Sequence, residues 1–302
     1  MTARGDALGE LTLPLAVPSI RGEEGPRRGT WGTELQHRDG NFKGLNEFNI
    51  YYQCWLPEVT AKAVILIAHG YAEHSGRYMN VVNAAVPREY GVYALDHRGH
   101  GRSDGERVRV DSFDDYLVDL KTFFDLVQAE NAGKKVFLLG HSMGAAISTA
   151  YVLRHQEELA GLVLSGGGIM PSDPARAEAV RAATPPRTGD LASSLSRDPK
   201  VIEDYRKDPL VYTGPPPERS GAMSAIRGHL PELVPQIRLP ILIMAGGASP
   251  LGDGLRSQVL FEDVGSPDKT LKVYPELMHE IFNEPEHPQV IGEMLAWLDA
   301  HL

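Results

Sequence analysis

Short unbroken apolar runs recur along the chain, separated by stretches of helical spacing. Ala63–Ala68 (AVILIA), Val92–Leu95, Val136–Leu139, Leu162–Leu164 and Pro240–Met244 (PILIM) have the length and side chains of strands covered on both faces, and Thr270–Tyr274 follows as the last strand. Helices are expected from about Gly76 to Tyr90, over Ser112–Glu130 with Ser112 as N-cap, over the alanine-rich Ala145–Leu153, and over Pro288–Leu302. Such alternation predicts an α/β fold with a doubly wound, mostly parallel sheet. From Trp31 to Pro57 the pattern alternates around turn residues, which predicts two antiparallel strands joined at Arg38-Asp39-Gly40 and brings the sheet to eight strands. Residues 166–239 break the rhythm, being too long for one crossover and rich in Pro, Arg, Asp and Ser. They are expected to form a cap over the carboxyl edge of a core made of residues 31–165 and 240–302, after an irregular N-terminal extension at 1–30.

Composition narrows the function. With 302 residues, 42% of them hydrophobic and 23% charged, the chain has ample material for a buried core. A formal net charge of −10 disfavours nucleic acid and anionic membrane surfaces, which call for clustered Lys and Arg, so a small neutral substrate is expected. The single cysteine, Cys54, excludes an intrachain disulfide and points to a reducing, cytoplasmic setting. No apolar run approaches the roughly 20 residues of a membrane span.

Ligands of open parallel sheets bind beyond the carboxyl ends of the strands, and three such ends carry chemistry here. Gly140-His141-Ser142-Met143-Gly144 bridges a strand and a helix in the G-x-S-x-G manner, so Ser142 is the candidate nucleophile on a sharp, strained turn. The helix N-terminus beneath it favours the negative charge of an attacked ester carbonyl. His69-Gly70-Tyr71 ends a neighbouring strand and can aim the Tyr71 N–H, with that of Met143, at that oxygen. His279, in Met278-His279-Glu280 after the last strand, is of a residue type whose unperturbed pKa lies near 6.5 and suits a base that later acts as an acid.

Together HGYAEHSGRY (69–78), YALDHRGHGRSDG (93–105), GHSMG (140–144), SRDPKVIEDYRKDPLVYTG (196–214) and DKTLKVYPELMHEIFNEPE (268–286) resemble the monoacylglycerol lipases and related lysophospholipase-like esterases of the α/β-hydrolase fold. The resemblance runs over roughly Gly32–Leu302. It implies a cofactor-free serine hydrolase that cleaves a fatty-acyl ester of glycerol or a similar small alcohol under a mobile cap. It also implies that the glycerol end is bound near Glu73 and Arg77. Oligomeric state, a homodimer included, is left open.

The resemblance places the triad's acid in a Gly-x-Ala-Asp pattern about 30 residues before the histidine, yet here the segment reads Gly246-Gly247-Ala248-Ser249-Pro250-Leu251-Gly252-Asp253. Ser249 takes the aspartate's place when the alignment runs back from His279 without gaps. A serine can hold the imidazole by a hydrogen bond but brings no charge to an imidazolium. Loss of that charge costs roughly 10⁴-fold in serine proteases. Three readings stand. Asp253 swings into the vacated place, against the plainer expectation of a solvated loop aspartate. Or Ser249 impairs or inactivates the enzyme and leaves a fold that binds acyl ligands. Or Asp173, at the start of the cap, serves. His97-Arg98-Gly99-His100 lacks the ligands to complete a metal site, and Gly99-x-Gly101 lacks the spacing of a dinucleotide loop. Residues 171–200 offer few large apolar side chains, so weak membrane docking and short to medium acyl chains are expected.

Overall fold

The computed structural model describes residues 27–28, 34–186, 189–215 and 228–302; most of the stretch expected as an irregular extension lies outside them. Its strands are β1 (Arg27–Arg28), β2 (Glu34–Lys43), β3 (Asn49–Leu56), β4 (Ala63–Ala68), β5 (Tyr90–Leu95), β6 (Lys135–His141), β7 (Gly161–Ser165), β8 (Ile241–Gly246) and β9 (Lys269–Tyr274). They form one sheet in the order β1-β2-β3-β5-β4-β6-β7-β8-β9. Strands β2 to β9 are the eight expected, and β1 adds a two-residue antiparallel pairing, Arg27 opposite Leu35, inside the supposed extension.

Strands β4 to β9 run parallel, so their carboxyl ends share one edge. At the centre, Ile65 of β4 pairs with Val92 on one side and Phe137 on the other. All six residues of β4 are buried, the outcome its unbroken apolar run requires. Alternate side chains serve two cores. Val64, Leu66 and Ala68 pack with α2 (Phe113–Glu130) and α3 (Met143–His155), while Ala63, Ile65 and Ile67 pack with α1 (Met79–Ala85) and the C-terminal helix at His287–Ala300. Each Val, Leu or Ile so buried contributes about 1.5–3 kcal/mol.

Two expected boundaries moved. Strand β2 passes straight through Arg38-Asp39-Gly40, because Asp39 accepts a hydrogen bond from the Tyr51 hydroxyl at 2.8 Å and Gly40 lies opposite Tyr52. The reversal comes at Gly44–Phe48, where Asn46 and Glu47 adopt φ of 60° and 62°. The helix expected from Gly76 to Tyr90 divides into short 3-10 turns around α1; Pro87 lacks a donor and Glu89 closes the segment at φ 66°. Ser112 does cap α2, accepting from the Asp114 N–H at 3.3 Å.

Between β7 and β8 the described residues form α4 (Pro174–Ala183) and α5 (Pro199–Lys207), each with proline in its first turn. Ala192, Leu195, Tyr205 and Val211 make a small core of their own. The segment is tied to the strand ends by backbone: Glu280 N–H donates to Leu195 O at 2.7 Å, and Tyr212 N–H to Ala72 O at 2.8 Å.

Candidate active site

Ser142 stands between β6 and α3, as the N-cap of the helix, with φ 53° and ψ −108°, a conformation L-residues rarely hold. The turn exists because the residues two before and two after it, Gly140 and Gly144, have no side chains. A Cβ on Gly144 would lie 2.0 Å from the Ala68 carbonyl oxygen, and one on Gly140 would lie 2.5 Å from Ser148 Oγ. Ser142 N–H donates to Ser165 O at 2.9 Å, which anchors the elbow to β7. The side chain is half-buried and reachable.

The exit of β4 runs past this elbow. A Cβ on Gly70 would meet Glu73 Oε1 at 2.7 Å, His141 Cδ2 at 3.1 Å and Ser142 Cβ at 3.3 Å, so only glycine lets the chain pass Ser142 this closely. Tyr71 therefore follows directly beside Ser142, and Met143 succeeds it in the first turn of α3.

His279 reaches the same edge from the far side of the sheet. Its ring lies 4.8 Å from that of His141 and rests on Gly166, where a Cβ would be 3.1 Å from Cε1. Among the described residues no hydrogen bond joins Ser142 Oγ to His279. The other end of the imidazole is firmly held: Nδ1–H donates to Asp253 Oδ2 at 2.7 Å, with both side chains 5% exposed. Burial works to lower the His279 pKa, but the charge and hydrogen bond of Asp253 outweigh it and hold the pKa above the ordinary 6.5.

Asp253 is thus no solvated loop residue. It is the first residue of α6 (Asp253–Asp263), reached through Gly252 at φ 74°, and as an acid in the first turn it sits at the favourable end of the helix dipole. The loop before it folds tightly. Ser249 Oγ accepts from Leu251 N–H at 3.3 Å and its carbonyl accepts from Gly252 N–H at 3.1 Å, so the serine shapes the turn and makes no bond to His279. Asp173 is occupied elsewhere, capping α4 through Arg176 N–H at 2.7 Å.

Glu73 and Arg77 belong to a buried polar cluster. Glu73 Oε1 accepts from Gly70 N–H at 2.6 Å and from Tyr78 OH at 2.8 Å, while Oε2 accepts from Arg77 Nη1 at 3.0 Å. Glu280 takes both ends of the guanidinium, at 2.5 and 2.8 Å, and Asn283 Nδ2 donates to it at 2.9 Å. Desolvation works to raise the Glu73 pKa, yet Arg77, the neighbouring His141 and His69, and the Tyr78 hydroxyl together outweigh it and keep it below the usual range. The Tyr205 ring of α5 covers the guanidinium at 4.8 Å. The part of Glu280, and of Asn283 beside it, is not legible in the sequence, since residues 203 apart carry no spacing signal and the polar run after His279 is the only pointer; Tyr78 lies within HGYAEHSGRY but has no role assigned there.

Comparison with known proteins gives the family and the fold. Residues 59–286 match the Hydrolase_4 family, described as serine aminopeptidase, S33. Monoacylglycerol lipase of Mycolicibacterium smegmatis is 36% identical over 273 residues, covering 87% of this chain and 97% of the relative. Human monoglyceride lipase is 32% identical over 265 residues, covering 82% and 86%. The crystal structure of Paleococcus ferrophilus monoacylglycerol lipase superposes with a TM-score of 0.67 at 26% identity, covering 89% of this chain and all of that one. The chain belongs to the Hydrolase_4 family of serine hydrolases, with the α/β-hydrolase fold and the likeness of a monoacylglycerol lipase, and is a carboxylic-ester hydrolase.

Proposed function

We propose that the protein hydrolyses monoacyl esters of glycerol or of similar small alcohols through an acyl-enzyme on Ser142, with His279 as base and acid and Asp253 as the third member of the triad. The observation that carries this reading is the buried 2.7 Å bond from His279 to Asp253. Asp253 fixes the tautomer with Nδ1 protonated, which leaves Nε2 free to take the Ser142 proton. The serine oxygen attacks the carbonyl carbon, and the oxyanion is received by the N–H groups of Tyr71 and Met143 at the α3 N-terminus. Imidazolium then protonates the alcohol oxygen as its bond to the acyl carbon breaks. Water, deprotonated by the same nitrogen, releases the acid. The bond between Ser142 and His279 forms when substrate is bound, as catalytic contacts often tighten only then.

Residues 166–239 act as a cap over the strand ends, and the scarcity of large apolar side chains at 171–200 favours short to medium acyl chains. The alcohol portion leaves towards Glu73 and Tyr78. The test is labelling by a fluorophosphonate, with the adduct mapped to Ser142, beside release of glycerol and acid from monobutyrin and monoolein. Ser142→Ala is expected to abolish labelling and both hydrolyses. Turnover by that variant, or labelling without any glycerol release, overturns the reading.

A further inference from the structure

We infer that the alcohol pocket is charge-selective and that Glu280 makes it so, admitting neutral hydroxyl-bearing leaving groups and rejecting those that carry a phosphate or carboxylate. This rests on the esterase reading above and adds the class of alcohol. The pocket is lined by Glu73, Tyr78, His141, Glu280, Phe282 and Asn283, and as it stands has room for about one water molecule. None of these six residues is Lys or Arg. Arg77, the guanidinium that touches this lining, is spoken for: its fork lies along both oxygens of Glu280, its remaining Nη1 bond goes to Glu73, and Tyr205 closes its face.

Two buried carboxylates against one guanidinium leave an excess negative charge beside Ser142. The neutral groups do not relieve it. His141 is kept uncharged at neutral pH by burial and by His279 beside it, its pKa lowered to about 4. The Tyr78 hydroxyl already donates to Glu73. What the pocket offers a ligand is acceptors, which suits the O–H groups of a glycerol and repels an anion. At an effective dielectric near 20 and a separation of about 5 Å, one unmatched charge disfavours an anionic group on the order of a hundredfold. Without Glu280 the pair Glu73–Arg77 would be neutral, so the selectivity is assigned to Glu280.

The experiment compares kcat/KM for 1-butyrylglycerol and 1-butyrylglycerol 3-phosphate, which share the acyl chain, with p-nitrophenyl butyrate as a measure of intact machinery. The natural chain is expected to favour the neutral ester by about a hundredfold, and Glu280→Gln to narrow that ratio at least tenfold. A ratio cancels general damage to the variant, since a merely structural role for Glu280 lowers both rates together. Equal rates on the two esters by the natural chain overturn the inference with no variant needed. An active Glu280→Gln with an unchanged ratio overturns the assignment to Glu280. Inertness towards all three esters brings down the esterase reading and this inference with it, whereas hydrolysis of p-nitrophenyl butyrate with equal glycerol-ester rates brings down this inference alone.

Discussion

Replacing Asp253 by Asn separates a charge-completed triad from one that merely tolerates a serine in the acid's place. The amide keeps the size and one acceptor of the carboxylate at 2.7 Å from His279 Nδ1 but removes the charge. Both side chains are buried, so water cannot replace it. A unit charge about 4 Å from the imidazolium at an effective dielectric of 20 is worth roughly 4 kcal/mol, close to a thousandfold in rate. The amide can also present its NH₂ and favour the wrong tautomer, which in serine proteases brings the loss to about 10⁴. We therefore expect Asp253→Asn to lower kcat/KM for p-nitrophenyl butyrate by 10³ to 10⁴, with the circular dichroism spectrum and Tm little changed. Ser249→Ala should cost less than about threefold, since its hydroxyl serves the turn at Leu251. Retention of more than a tenth of the activity by Asp253→Asn, or a rise of orders of magnitude in Ser249→Asp, would refute the assignment.

Other outcomes follow from the same geometry. Because Asp253 holds the His279 pKa above 6.5 and the base must be neutral, kcat/KM should fall as pH drops through that raised value, and Asp253→Asn should move the limb to lower pH. Stability has its own profile: burial lowers His141 to about 4 and His100 to about 3, so the unfolded chain binds more protons below 6.5. Their contribution, complete above 6.5, is lost as pH falls through 6.5 to about 3, while that of His279 has the opposite sign and is lost as pH rises through its folded value. The urea midpoint should therefore drop between pH 7 and pH 5, and a constant midpoint would contradict it. Gly144→Ala drives a Cβ into the Ala68 carbonyl and should cost about 3 kcal/mol or more in denaturant unfolding, together with the activity. Ser142→Gly relieves the φ 53° strain and should be at least as stable as Ser142→Ala, against the usual glycine penalty of about 0.5–1 kcal/mol; a clearly lower Tm would show the elbow is unstrained.

The sequence by itself determined the layers and the turn on which Ser142 stands. Runs such as AVILIA can satisfy six consecutive apolar side chains only between two covered faces, and a serine flanked by Gly140 and Gly144 at a strand-to-helix junction has few other uses. The positions of Tyr71, Met143 and His279 followed from strand ends, because parallel strands deliver their carboxyl ends to one edge. What chain order could not decide was distance. Counting back from His279 puts Ser249 in the acid's place, but Gly252 at φ 74° and the helix start after it carry Asp253 inward, and only folded backbone shows that. The turn at Asn46–Glu47 escaped for a like reason, since Arg38-Asp39-Gly40 has turn composition that its cross-strand partners overrule. Glu280 and Arg77 pair across 203 residues of chain, and a charge balance of that range exists only once β4, β9 and the segment between β7 and β8 have met.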